Sequence, residues 1–161
     1  MTKPPSPLEG SAAERVAALT LDNPYRSSGR KPRMLIVGAG MMGREHLRVS
    51  QLLGWADVQG IVDPDGGSLE WACSDWRLLT NAPLTIYRDL NEACLDEAVD
   101  AIVIATPNHT HRDVLHAVAP SHKPVLLEKP MATTLADAMD IVNLARDYPA
   151  VIQLGMQYRF K

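Results

Sequence analysis

Residues 37–43 read VGAGMMG, with three glycines in Gly-x-Gly-x-x-Gly spacing. This stretch decides the fold, because it follows an apolar run, Met34–Val37, and opens a stretch of helical period, Met41–Leu53, that stops at Gly54. A glycine-rich turn between a strand and a helix is typical of dinucleotide-binding domains, although the same turn also serves close packing alone. The surrounding pattern is needed to choose between the two interpretations.

Each glycine of the turn has a distinct physical task. Gly38 permits the tight turn, Gly40 lets the backbone approach a pyrophosphate without a Cβ in the way, and Gly43 lets the helix lie close to the strand. The amides of Met41 and Met42 then face the phosphates with the positive end of the helix dipole.

Apolar runs and helical stretches alternate along the rest of the chain. The predicted strands after the first are Val58–Val62, Leu84–Tyr87, Ala101–Ala105, Val125–Leu127 and Val151–Leu154. The predicted helices after the first are Ser68–Leu79, Leu90–Leu95, Thr110–Val118 and Leu135–Tyr148. Strands that are apolar on consecutive residues indicate a sheet covered on both faces. The pattern predicts an α/β domain with a doubly wound, mostly parallel six-stranded sheet.

The last predicted helix has the clearest local signals. Thr134 and Asp137 form a Thr-x-x-Asp start that resembles a capping box. Leu135, Met139 and Val142 repeat on one face and give the helix an apolar stripe.

Asp63 lies 20 residues after Gly43, at the end of the second predicted strand. A carboxylate there accepts both hydroxyl hydrogens of an adenine ribose and repels a 2′-phosphate. Since no Lys or Arg lies between Asp63 and Glu70, NAD is favoured over NADP. The alternative is a simple turn residue in the DPDGG stretch, residues 63–67.

Length and composition bound the class of protein. The chain has 161 residues, 46% hydrophobic and 22% charged, enough for one domain with a sizeable core. No apolar run approaches the roughly 20 residues of a membrane span, and the first ten residues lack a secretory apolar segment, so a cytoplasmic location is expected. The two cysteines, Cys73 and Cys94, suggest buried free thiols rather than a disulfide or a thiolate metal site.

Charge is distributed unevenly along the chain. Six basic against three acidic residues give the first 33 residues a charge of +3, which leaves −6 for the rest of a chain of net charge −3. An acidic body argues against a nucleic-acid partner. The proline-rich residues 1–32 are expected to form a mobile N-terminal arm.

Polar groups follow the fourth and fifth predicted strands, where open α/β sheets bind ligands. Asn108 is a candidate ligand contact or a helix cap. His109 and His111 are one residue apart with no third ligand nearby in the sequence, so no metal site is predicted. Lys129, flanked by Glu128 and Pro130, suits a charge aimed at a substrate oxygen, the alternative being a solvated surface lysine.

Five segments taken together resemble the Gfo/Idh/MocA family of sugar and inositol dehydrogenases over about residues 33–160. They are VGAGMMGREH (37–46), IVDPD (61–65), ATPNHTH (105–111), LLEKP (126–130) and GMQYRF (155–160). The order of Thr-Pro-Asn-x-x-His before Glu-Lys-Pro distinguishes this family from other nucleotide-binding folds. The resemblance implies a Rossmann fold and an NAD cofactor.

The resemblance also implies roles for individual residues. It implies pyrophosphate contacts at Gly38, Gly40, Met41, Met42 and Gly43, and a ribose contact at Asp63. It implies cofactor-edge contacts from Thr106, Pro107, Asn108 and His111. Glu128 and Lys129 are implied near the nicotinamide, with Lys129 orienting the substrate, and Arg159 is implied to reach the cleft.

Family members continue with a second domain that supplies most substrate contacts and the acid/base residues. Residues 33–161 are expected to hold the dinucleotide-binding domain and no substrate domain, so this chain should bind NAD and turn over little. The function expected of the complete enzyme is hydride transfer between NAD and a sugar, inositol or related secondary alcohol. The alternatives are a non-catalytic NAD-sensing or interaction module and a methyltransferase-like nucleotide fold, which the Glu-Lys-Pro and Thr-Pro-Asn-x-x-His segments disfavour.

Overall fold

The computed structural model describes residues 29–160, with side chains described to residue 158. Residues 32–156 form one compact unit. Most of the predicted N-terminal arm, residues 1–28, lies outside the described residues.

Within residues 29–160, six strands alternate with five α-helices. The strands are β1 Arg33–Val37, β2 Asp57–Val62, β3 Thr85–Tyr87, β4 Ala101–Ile104, β5 Val125–Leu127 and β6 Ile152–Leu154. The helices are α1 Met41–Leu53, α2 Gly66–Leu79, α3 Leu90–Leu95, α4 His111–Val118 and α5 Leu135–Asp147. Short 3₁₀ turns occupy Asn108–Thr110, Ala119–Ser121 and Gln157–Phe160.

The strands form one parallel sheet in the order β3-β2-β1-β4-β5-β6. The chain passes from β1 outward to β3 on one side and then returns to β4 beside β1. This reversal leaves a crevice at the carboxyl ends of β1 and β4, the place where open α/β sheets bind ligands. The doubly wound, parallel six-stranded fold predicted from the sequence is confirmed.

Both faces of the sheet are buried, which explains why its strands are apolar on consecutive residues. On one face Leu35 and Val37 belong to a core with α3, α4 and α5. On the other face Ile36 packs in a core with Leu47 of α1 and Trp76 of α2. Residues that alternate along β1 therefore serve opposite cores.

Local signals account for most helix boundaries. Asp65 caps α2 by accepting the Ser68 N–H at 2.7 Å, so this helix starts at Gly66 rather than at the predicted Ser68. Thr134 caps α5 by accepting the Asp137 N–H at 3.1 Å, as predicted. The helix predicted from Thr110 begins at His111, because a 3₁₀ turn precedes it.

The apolar stripe of α5 is not the side that packs on the sheet. Leu135, Met139 and Val142 are exposed, and Ile141 is the residue of this helix that is buried in the core. A second stripe, which includes Leu144, packs against that core. The sequence predicted the helix but not the side that faces the sheet.

Both cysteines are free thiols, and Cys94 is buried while Cys73 is half-buried. Burial raises the pKa of Cys94 to about 11. In residues 29–160 no helix is both long and apolar enough to cross a membrane.

Candidate functional site

A cleft of 870 Å³ opens at the carboxyl ends of the central strands. It brings together residues that the sequence analysis selected from three separate segments: Gly38, Gly40, Met41, Met42, Asp63, Thr106 and Pro107. Apolar side chains such as Leu90 and Val114 complete its walls. A mostly apolar cleft with a few convergent polar groups is the usual form of a small-molecule site.

The glycine turn is closed by contacts that tolerate no side chain at two positions. Gly38 has φ +102°, and a Cβ there would lie 2.7 Å from the Ala105 carbonyl oxygen. A Cβ on Gly43 would lie 1.8 Å from the carbonyl oxygen of Gly38. Gly43 is therefore buried between helix and strand, where it sets their distance rather than lining the cleft.

Gly40 is a glycine for a different reason. A Cβ there would meet nothing within 4 Å, since it would project into open space at the cleft. Within residues 29–160, no side chain caps this end of α1, which begins at Met41. The first amides of a helix have no acceptor inside the helix, so Met41 and Met42 can offer theirs to an anion. A pyrophosphate could occupy the space that a side chain at Gly40 would fill.

Asp63 joins the end of β2 to the glycine turn. Its Oδ2 accepts the Ala39 N–H at 2.6 Å, and its Oδ1 accepts the Asp65 N–H at 2.8 Å. Each carboxylate oxygen keeps a further lone pair, so these bonds orient the carboxylate and leave it able to accept ribose hydroxyls. The turn role and the ligand role weighed for Asp63 are compatible.

Asp65 adds a second negative charge at this end of the cleft. Hydrogen bonds from Ser68 hold the pKa of Asp65 below its usual value. The residue is therefore an anion at neutral pH.

Arg88 is a residue that sequence reasoning missed. It directly follows β3 and lines the same cleft as Asp63. It also lines an adjoining cavity of 500 Å³, together with Arg77. The rule that ligands bind at the carboxyl ends of strands could have found it, since its position along the chain is at such an end.

His111 lies behind the cleft wall rather than in it. Its ring is fully buried, with Nδ1 3.0 Å from the Pro130 carbonyl oxygen and Nε2 3.0 Å from that of Thr106. This side chain therefore does not line the cleft and does not make the cofactor-edge contact that the resemblance implied. Its influence on the cleft is indirect. His111 holds the turn after β4 against the turn after β5.

Thr110, a further lining residue, secures the first of these turns. Its hydroxyl lies 2.9 Å from Thr106 Oγ1 and donates to the Pro107 carbonyl at 2.7 Å. Asn108 is exposed and does not line the cleft.

Glu128 and Lys129 follow β5 and lie outside the residues that line the cleft. Glu128 Oε1 lies 2.8 Å from His46 Nε2, and its Oε2 accepts the Lys129 N–H at 3.1 Å. The Lys129 side chain is exposed. Arg159 lies in the turn Gln157–Phe160, and its side chain is outside the described part of the chain.

Comparison with known proteins agrees with this geometry. Residues 32–156 match the model of the Gfo/Idh/MocA oxidoreductase family, NAD-binding Rossmann fold. An inositol 2-dehydrogenase of Leifsonia xyli subsp. xyli is 36% identical over 132 residues, which are 80% of this chain and 37% of that protein. The rhizopine catabolism protein MocA of Rhizobium meliloti is 31% identical over 128 residues, which are 80% of this chain and 38% of that protein.

A solved structure has the same arrangement. Myo-inositol dehydrogenase from Lactobacillus casei, crystallised with NAD(H) and myo-inositol, superposes with a TM-score of 0.70 at 27% identity. The match covers 81% of this chain and 38% of that one, so the chain spans less than two fifths of the length of these relatives. With its glycine turn, its strand-end aspartate and this family match, the chain belongs to the Gfo/Idh/MocA oxidoreductase family and contains that family's NAD-binding Rossmann domain.

Proposed function

We propose that this chain is the cofactor-binding part of an NAD-dependent dehydrogenase that acts on a sugar, an inositol or a related secondary alcohol. The observation that carries the proposal is the open cradle at Gly40, which lies in one cleft with Asp63. The inositol dehydrogenases among its relatives support the substrate class. They give no support to a non-catalytic module.

The residues of the cleft fit successive parts of NAD, from the adenine ribose through the pyrophosphate toward the nicotinamide. The backbone of Gly38 and Gly40 and the first amides of α1 would hold the pyrophosphate, and Asp63 would hold the adenine ribose. Thr106 and Pro107 would line the path from the pyrophosphate to the nicotinamide. Bound NAD⁺ supplies an acceptor for the hydride of a carbinol carbon.

The side chain of Lys129 has the charge and exposure for substrate binding. It follows β5 and is exposed, so its ammonium group can donate to the alcohol oxygen of a substrate. Hydride transfer also requires a base to take the alcohol proton. We place that base, with most substrate contacts, in a second domain, and propose that residues 33–161 hold the cofactor-binding domain alone.

Ligand binding by the chain itself tests the proposal. NADH should bind with enhanced nicotinamide emission, while S-adenosylmethionine at the same concentration should not displace it. With inositol and NAD⁺, this chain should form NADH far more slowly than an ordinary enzyme does, or not at all. Displacement by S-adenosylmethionine, absence of NADH binding, or turnover by this chain alone would each contradict it.

A further inference from the structure

The turn at Glu128–Pro130 is held by imidazole rings from two helices. His111 of α4 contacts the Pro130 carbonyl, as described above. From the other side, His46 of α1 contacts the Glu128 carboxylate, although 82 residues separate the two in the sequence. His46 belongs to the segment VGAGMMGREH, but nothing in the sequence pattern indicates a role for it.

The His46–Glu128 pair is mostly buried. The side chains of His46 and Glu128 are 22% and 12% exposed. A Cβ on Gly155 would lie 3.4 Å from Glu128 Oε2, so the backbone after β6 packs against this carboxylate. A carboxylate with so little access to water requires hydrogen-bond partners inside the protein. The partners of Glu128 are His46 Nε2 and the Lys129 N–H.

The two carboxylate oxygens make Glu128 a connection between two elements. Oε1 reaches the helix that begins at the glycine turn, and Oε2 receives the main-chain N–H of Lys129. The Glu128 N–H in turn donates to the Ile104 carbonyl at 3.0 Å, which holds the turn to the end of β4. The residue that presents Lys129 is thus connected directly to the helix at the pyrophosphate cradle.

We propose that His46 is a positioning residue, which orients the Glu128 carboxylate and through it holds the turn of Lys129 beside the nicotinamide end of the cleft. The inference rests on the proposed function, because it takes the glycine turn as the pyrophosphate site. Loss of the His46 contact releases the Glu128–Pro130 turn without changing the glycine turn. The nicotinamide half of the cofactor is then affected, and the adenosine half is not.

Two ligands separate these halves, since ADP-ribose has the adenosine and pyrophosphate but no nicotinamide. Their dissociation constants are measured on the full chain and on three variants of His46. His46→Gln places an amide nitrogen where Nε2 stands, His46→Asn places it where Nδ1 stands, and His46→Ala has no donor. His116→Ala is the matched control, because His116 Nε2 lies 2.7 Å from Asp140 in a comparable but exposed pair.

The asparagine and alanine variants should bind NADH about fivefold more weakly than the wild type, as expected for the loss of roughly one hydrogen bond. Their ADP-ribose affinity should stay within about twofold of wild type, within the range of ordinary surface substitutions. His46→Gln should restore NADH binding and the emission of the bound nicotinamide, and His116→Ala should change neither. All variants are compared below their melting temperatures. If either the asparagine or the alanine variant does not fold, the remaining one of these two decides.

Equal weakening of both ligands would show a merely structural role for His46 and overturn the inference, as would no weakening at all. Failure of the glutamine variant to restore NADH binding would also overturn it. If the wild type binds neither ligand, the proposed function fails as well. Wild-type binding of both ligands therefore distinguishes failure of the inference from failure of the proposed function.

Discussion

At the scale of single residues, identical glycines in one motif carry different constraints. Gly43 has no room for a Cβ, while Gly40 has open space around it. The first is required by the folded chain, and in the proposed function the second is required by the pyrophosphate. Substitutions at the two positions should therefore affect different measurements.

Gly40→Val should weaken NADH binding by about tenfold or more, because the side chain occupies the pyrophosphate space. Its melting temperature should stay close to that of the wild type. The φ angle of Gly40 is −67°, which any residue adopts, and a Cβ added there would have no neighbour within 4 Å. Gly43→Ala should lower the free energy of unfolding by about 2–4 kcal/mol, because the backbone of the turn must move. Thermal melts and NADH titrations of both variants check this, and equal melting temperatures for the two would contradict it.

Asp63 and Arg88 form a second contrast at this scale. No Lys or Arg lies between Asp63 and Glu70, which favoured NAD, yet the fold brings Arg88 to the same cleft. The carboxylate repels a 2′-phosphate, and the guanidinium can bind one bidentately. Asp63 should therefore be the main determinant of cofactor choice.

Asp63→Ala should raise NADPH affinity by about tenfold relative to NADH, because it removes a like charge from the phosphate site. Adding Arg88→Ala to that variant should reverse most of the gain. Arg146→Ala on the exposed side of α5 serves as the control for a change of net charge. Competition titrations with both cofactors measure the ratio of NADPH to NADH affinity. If the gain in NADPH affinity persists without Arg88, this arginine does not bind the 2′-phosphate.

At the scale of elements, one hydrogen bond ties β3 to the chain after α3. Tyr87 Oη donates to Asp96 Oδ2 at 2.6 Å. This bond, followed by one from the Ala98 N–H, holds the pKa of Asp96 below its usual value. Burial, followed by the same bond, raises the pKa of Tyr87 to about 12. Both directions agree that a neutral tyrosine donates to an ionised carboxylate.

The stability from this bond should depend on pH in the acid range. Since the folded pKa of Asp96 lies below its unfolded value, the contribution is present above the unfolded pKa, near 4, and is lost as pH falls through the folded pKa. Tyr87→Phe should cost about 1 kcal/mol near pH 7 and progressively less below about pH 4. Urea unfolding at several pH values measures this.

Tyr148→Phe is the matched control for that series. Tyr148 Oη donates at 2.6 Å to a neutral acceptor, the Lys123 carbonyl oxygen. Its loss should cost a similar free energy with no acid dependence. A pH-independent cost for Tyr87→Phe would show that the ionised Asp96 is not the source of its stability.

The helix α5 shows how far an element can be predicted from its own sequence. The cap at Thr134 and the helical period are local, and the structure confirms both. The segment has two apolar stripes, however, and only packing on the sheet decides that Ile141 is buried while Leu135 is exposed. Periodicity indicates that a helix has an apolar side, but two such sides require the tertiary contacts to choose between them.

At the scale of the whole molecule, ligand binding and folding should be linked. The cleft draws its walls from β1, β2 and β4 and from the helices and turns that follow them, so an occupied cleft requires the folded unit of residues 32–156. A ligand that binds only the folded state stabilises it by mass action. The net negative charge of the chain after residue 33 is compatible with an anionic cofactor, because the cradle at the glycine turn consists of backbone amides.

NADH at 100 times its dissociation constant should add about 2.7 kcal/mol to the free energy of unfolding. For a unit of this size the melting temperature should rise by roughly 10 °C. Differential scanning fluorimetry measures the shift, and the Gly40→Val variant should show about half of it or less at the same NADH concentration, because its binding is about tenfold weaker or more. An equal shift in that variant would place the ligand elsewhere on the molecule.

The sequence by itself determined the parallel doubly wound sheet, the glycine turn and the place of Asp63 at the end of β2. Each of these depends on spacing within a strand-helix-strand unit or on the repetition of such units along the chain. It also sufficed for the family, since the segments keep their order along the chain. The tertiary structure alone decided that His46 meets Glu128, that Arg88 joins Asp63 and that His111 is buried behind the cleft. These contacts join residues far apart in the chain, and they depend on strand order, which places β1 between β2 and β4.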